Sequence, residues 1–310
     1  MAQREVTRVS LADMRLCNII ETDDRKLLTC GRCKKTRYCS KDCQAENWET
    51  HKSTCKAQNY ILKISLCPTE ITNPSVTRTL SCPSTATFEQ LRRALQIAFD
   101  WASTHTYDFK IKDPNVQPEP LTDMMTYITR RMEQDAAQFG DKPIPDAGPR
   151  QNHLRIIEKD PMGPGGFASA KGLDSMHNRD RVHSQTPEID SKKIKLSKVL
   201  ENKEYKGAKI EYEYDFGDCW QHMVEAVGRS EASKGFLYLK GEGHGVAEDV
   251  GADQGWLKLR EAYRTANPTT EQREKRSWFE SGASNNDPKG LGNGREWEWD
   301  MNAVNAKLRR

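Results

Sequence analysis

The sequence predicts an α+β protein in two parts: a small finger near its start, then a compact domain of antiparallel sheet and helices that carries a long, partly disordered insertion. Three observations carry this. Five thiols and one imidazole crowd between Cys30 and Cys55 at short intervals. From Tyr60 the texture changes to runs that alternate with period two, followed by an apolar stripe at helical spacing. Residues 112–192, by contrast, hold nine of the 14 prolines and a glycine-rich patch, with little periodicity of either kind.

The finger comes first. Its intervals are Cys30-x2-Cys33, Cys39-x3-Cys43 and His51-x3-Cys55. A C-x2-C pair places two sulfurs around one tight turn, and an x3 pair does the same across one helical turn, so that each pair reaches a zinc ion at about 2.3 Å. The segment from Lys41 onward reads as helix, and at ~100° per residue Cys43 and His51 point roughly 80° apart. That favours two tetrahedral centres over one. A segment this small cannot bury a sufficient apolar core, so bound metal supplies its folding energy. A disulfide cluster is the competing reading, and it needs an oxidising compartment that nothing in the chain suggests. Trp48, between the ligand pairs, reads as a packing residue of the small core.

The rest of the chain is read in order. Residues 1–16 form a polar lead-in. YILKISLC and VTRTLSC, separated by the turn signal ITNPS, read as two antiparallel strands, with alternation at Ile61 and Lys63 and at Val76, Arg78 and Leu80. Cys67 and Cys82, each before a proline near a strand end, read as core or rim thiols. Thr87-x2-Gln90 is a capping box, and Phe88, Leu91, Leu95 and Ala98 form one helical stripe behind it. HTYDFKI at 105–111 is a third strand. Within 112–192 the one element expected is a polar helix around Leu121 to Phe139. The patch PMGPGG lacks the GK[ST] ending of a phosphate loop and reads as plain loop. KIKLSKVLE is a short strand or helix. AKIEYEYDFG and CWQHMVEAVG form a central hairpin around Gly217-Asp218. Then follow a strand at FLYLK, a glycine-rich acidic loop, helices near Trp256 to Thr265 and Thr270 to Phe279, a polar linker from Ser281 to Arg295, and a short closing helix.

Composition bounds the partners. With 48 Lys/Arg against 45 Asp/Glu the net charge is +3, which offers no electrostatic argument for nucleic acid. The basic run Lys34, Lys35 and Arg37 reads as a solvated rim. The start, MAQREVTRVS, has no apolar core of a signal peptide, and no run approaches the ~18 apolar residues of a membrane span. The expected location is intracellular, cytoplasm or nucleus.

The finger resembles the MYND-type zinc finger, through its Cys/His intervals and the words YCSKDCQ and W-x2-H-x3-C. In that family the ligand pairs interleave. The resemblance therefore implies one complete zinc site from Cys30, Cys33, His51 and Cys55, and a second from Cys17, Cys39 and Cys43. The family pattern wants a cysteine where this chain has Ile20, so the second site is one ligand short, unless Asp23 or a water completes it. The resemblance also implies binding of proline-containing peptide segments of another protein. Lysine methyltransferases carry such a finger too, but within a SET domain whose NHxC words are absent from this sequence.

From Tyr60 to Arg310 the chain resembles the plasmid pRiA ORF-three-like family, sometimes labelled transposon passenger proteins. The words are FEQLRRALQIAFDW with HTYDFKI, YEYDFGDCWQH, GEG with EDVG and GW, and MNAVNAKL. The resemblance implies a compact α+β domain and no established activity. This chain departs from the family at Cys219, at Tyr107, and along HGVAEDV.

Two functions follow as expectations. One is a zinc-binding adaptor whose finger presents a rigid surface to a partner peptide, with no catalytic residue required. The alternative is a metal-dependent hydrolase or nuclease in the larger domain. It would draw on His105, Asp215, Asp218, His222, Glu242, His244, Glu248 and Asp249, ligand-type residues within the family words. Against it, no pair of these has a recognised catalytic interval. Asp215 and Asp218 can serve the hairpin turn, and His222 can face solvent or a neighbouring strand.

Overall fold

A computed structural model describes residues 26–68, 71–116, 150–159 and 186–309. Cys17, Ile20, Asp23, the expected helix at 121–139 and the PMGPGG patch lie outside these described residues.

The finger is two short strands and a helix. β1 (Leu28–Thr29) pairs antiparallel with β2 (Arg37–Tyr38), and α1 runs over Lys41–His51. Ser40 caps α1 by accepting a hydrogen bond from the Cys43 N–H at 3.1 Å. Between the strands the chain turns through Cys30 to Lys34, where the Lys34 N–H meets the Cys30 carbonyl at 3.0 Å.

The larger part is built on one mixed sheet. Its strands are β3 (Asn59–Leu66), β4 (Thr77–Cys82), β5 (Tyr107–Lys112), β6 (Asn152–Ile157), β7 (Glu188–Asp190), β8 (Lys209–Tyr214), β9 (Trp220–Ser230) and β10 (Leu237–Glu242). They lie in the order β10-β4-β3-β9-β8-β5-β6-β7, antiparallel throughout except for the last pair. The helices are α2 (Phe88–Phe99), α3 (Leu196–Leu200), α4 (Ala252–Arg264), α5 (Thr270–Ser281) and α6 (Met301–Leu308). No helix among the described residues is long and apolar enough to cross a membrane.

The period-two pattern sets which face is buried. Tyr60, Leu62, Ile64 and Leu66 on β3 stand opposite Cys82, Leu80, Arg78 and Val76, and all are buried. Ile61 and Lys63 occupy the other face, so the core lies on the side that their alternation leaves out. Arg78 sits in this core, fully buried. Its guanidinium lies over the rings of Phe99 and Trp299 and donates to the carbonyls of Ala98, Thr77 and Glu242. α2 closes over the sheet as its stripe requires. Phe88, Leu91, Leu95 and Ala98 are buried, the Thr87 capping box is formed, and Gln96 donates to the Tyr212 hydroxyl at 2.8 Å.

One expectation needs correction. The stretch 112–192, read as an insertion, contributes two strands of the main sheet: β6 pairs with β5 and carries β7 along its far edge. NHLRII carries Leu154, Ile156 and Ile157, and the first two fall on the buried face once the segment pairs with β5.

Candidate metal centres

In the finger, Cys30, Cys33, His51 and Cys55 come together. All four are buried, and their ligand atoms lie within 4.8 Å of one another. The Cys30 and Cys55 sulfurs are 3.7 Å apart, and the Cys33 sulfur is 3.5 Å from His51 Nε2. A tetrahedron with Zn–S of about 2.3 Å and Zn–N of about 2.0 Å has edges of about 3.8 and 3.5 Å. The donor set therefore fits a zinc ion in composition and in edge length. A disulfide does not describe it, since the thiols are free.

Local structure explains how four donors converge. Cys30 and Cys33 flank the turn between β1 and β2, where the Cys30 N–H bonds the Thr36 carbonyl at 2.8 Å. His51 ends α1, and the Cys55 N–H returns to the His51 carbonyl at 2.9 Å, which folds the last ligand back under the helix. Thr36 Oγ1 lies 3.4 Å from His51 Nδ1 and can accept its proton, leaving Nε2 for a metal. No spacing rule points to Thr36, because its role arises only when the turn and the helix end meet.

The thiols feel one another. Burial pushes Cys33 up, but the backbone N–H groups of Thr36 and Lys35 and the Thr36 hydroxyl outweigh it and bring the thiol down to about 6. Cys55 is pushed up to about 11 by burial and by the neighbouring Cys30. Tyr38, buried beside them with no hydrogen-bond partner for its hydroxyl among the described residues, is pushed up to about 12 by burial and by the cysteine charges. Three ionised thiols could share this space only with a cation among them.

The remaining finger residues behave differently. Cys39 and Cys43 are half-buried, and Cys43 packs against the first cluster. Trp48 is not a core residue. It is 37% exposed on α1 and touches His51 edge-on at 6.1 Å between ring centroids.

In the sheet domain the eight ligand-type residues separate into groups. His105, Glu248 and Asp249 gather within 4.8 Å, and Asp215 stands beside them. Three loops meet here: residues 100–106, the β8–β9 turn and the segment before α4. Five of the nine non-glycine residues with positive φ among the described residues lie in these loops, Asp100, Ser103, Asp215, Cys219 and Asp249, and a sixth, Ala252, opens α4. The Asn285 side chain ties the first of these loops to the last by donating to the carbonyls of Asp100 and Val246 and accepting from the Glu248 N–H. Burial pushes the carboxyl groups of Glu248 and Asp215 above the usual range.

The other four do not join this group. Asp218 accepts from the Gly251 N–H at 3.2 Å, and Glu242 pairs with the Ser75 hydroxyl. His244 faces Asp287 at 3.0 Å. His222 is not at the surface at all. It is fully buried against Phe99 and Tyr212, and burial holds it neutral, down to about 4.

Comparison with known proteins agrees with this division. Residues 16–55 match the MYND finger, a zinc-binding protein-interaction module. Over 42 residues the chain is 43% identical to N-lysine methyltransferase SMYD2-B of Danio rerio, which is 14% of this chain and only 10% of that protein. It is 25% identical over 204 residues to "Uncharacterized protein y4hQ" of Sinorhizobium fredii, covering 65% of this chain and 71% of that one. A crystal structure of MM3350, a protein of unknown function from Methanosarcina mazei Go1, superposes with a TM-score of 0.47 at 20% identity over 80% of this chain and 96% of that chain. Residues 58–306, most of the chain, match the family described as plasmid pRiA4b ORF-3-like protein, and the protein belongs to that family.

Proposed function

We propose that the protein is an intracellular adaptor in which Cys30, Cys33, His51 and Cys55 hold a structural zinc ion, and the finger so formed binds a proline-containing segment of another protein. The observation that carries this reading is the buried four-donor cage, with edges of 3.7 and 3.5 Å, beneath a helix that leaves Trp48 exposed. Zinc in such a cage is a cross-link. The chain's own residues do the rest: Thr36 orients the imidazole, Ser40 starts the helix, and the rigid finger holds Trp48 and Leu28 in water, where an apolar peptide can cover them. Cys17, Cys39 and Cys43 are assigned to a second zinc centre on the family pattern. The test uses the full chain. Intact protein should capture a partner that the His51→Ala variant does not, and replacing the prolines of that partner's bound segment should abolish capture. Equal capture by both proteins rejects the adaptor reading, and binding indifferent to the prolines rejects the peptide class.

A further inference from the structure

We propose that His105, Glu248 and Asp249 form a separate metal centre in the sheet domain, one that takes a divalent first-row transition ion through nitrogen and oxygen donors. The three donors lie within 4.8 Å of one another and come from two loops that adjoin a third. His105 Nε2 is 3.3 Å from Asp249 Oδ1, and its Nδ1 is 3.6 Å from Asp215 Oδ1. Asp215 thus stands as the carboxylate that orients a ligating imidazole, with its own position fixed by the N–H groups of Gly217 and Asp218.

Glu248 separates this group from an ordinary acidic surface patch. It is fully buried. Its Oε1 accepts from the Ala102 N–H at 2.7 Å and the Tyr214 hydroxyl at 2.8 Å, while Oε2 accepts from Thr104 Oγ1 at 3.2 Å and keeps a lone pair to offer. Asp215 is buried too. Among the described residues neither of them, nor Asp249, forms an ion pair with Lys or Arg, so one imidazole faces three carboxylates. Buried charge uncompensated in this way is costly, and a divalent cation supplies the compensation. One imidazole with two carboxylates and no sulfur suits Mn²⁺, Fe²⁺ or Zn²⁺, unlike the thiolate cage of the finger. Asp249 and His105, 51% and 22% exposed, leave the ion an approach from solvent.

The experiment titrates full-length protein, already carrying its finger zinc, with Mn²⁺ and separately with Zn²⁺, reading bound metal by calorimetry. At least one ion should add a saturable equivalent. That equivalent should weaken at least tenfold in Asp249→Asn and in His105→Ala, and should persist in Cys39→Ser. Asp249 is half exposed, so its variant should fold as the parent does, which circular dichroism checks. No added equivalent with either ion overturns the proposal, as does an equivalent that survives both Asp249→Asn and His105→Ala. Because Asp249→Asn and His105→Ala leave the finger ligands untouched, failure here leaves the adaptor reading standing.

Discussion

Helix α1 of the finger buries one of its 11 residues, His51, whereas α2 of the sheet domain buries eight of 12. The two helices are nearly equal in length and both are capped by a hydroxyl that accepts from the first turn. Their difference lies in what holds them. α2 is fixed by apolar area, with Phe88, Leu91, Leu95 and Ala98 laid on an eight-stranded sheet. α1 has no such face, and its one buried residue, His51, belongs to the candidate cage with Cys30, Cys33 and Cys55. One region is stabilised by many weak contacts, the other by a few donors around one point.

That contrast is sharpest under metal removal. Structural zinc binding in small fingers amounts to about 10–16 kcal/mol at neutral pH, so a strong chelator, or Cys33→Ser, should unfold residues 26–55 completely. Chemical shifts of the finger should collapse toward random-coil values while the thermal transition of the sheet domain stays where it was. If that transition moves as well, the two regions share stability and the comparison fails.

The reverse experiment attacks the sheet. Phe109 is fully buried, with Phe88 and Tyr212 rings 5.0 and 4.6 Å away. Phe109→Ala should cost about 3–5 kcal/mol in denaturant unfolding of the sheet domain. The zinc content of the finger should not change.

Acid separates the regions less strongly. His222 is neutral in the folded state, held down to about 4, while in the unfolded chain it takes a proton near the ordinary 6.5. The unfolded state therefore binds more protons between these values, and stability falls as pH drops from about 6.5 to about 4, by roughly 3 kcal/mol for this one group. The difference between parent and His222→Phe in the sheet transition isolates that contribution from the thiolates and from the raised carboxyl groups of Glu248 and Asp215. A variant with the same pH slope as the parent would contradict it.

The smallest effect expected is at a cap. Thr87→Ala removes the hydroxyl that accepts from the Gln90 N–H at 3.3 Å, and should cost about 1 kcal/mol of sheet-domain stability. Since α2 is held by its buried face, the helix should persist in circular dichroism.

Much of this is legible in the sequence alone, and the reason is sequence distance. Cys30 and Cys33, or His51 and Cys55, are separated by one turn of chain, so their spacing alone states that each pair can share an ion. The Thr87 capping box and the hairpin around Gly217-Asp218 are equally local. β6 carries no such local signal, because its partner β5 lies some 40 residues earlier and Pro-rich and polar sequence surrounds it. The burial of His222 is not legible for a related reason: a histidine in a strand reads the same whether its face meets water or a core.

By itself, then, the amino-acid order determined the thiol and imidazole pairs, the strands with clear alternation, the capped helices and the apolar stripe of α2, all of them properties of neighbours within a few residues. Only the tertiary structure decided which pairs share one cage, which face of β3 is inside, and that His105 meets Glu248 and Asp249 across more than 140 residues of chain. Such meetings depend on how loops are carried to one end of a sheet, and strand order is set by the packing of the whole core, to which no short stretch of sequence gives access.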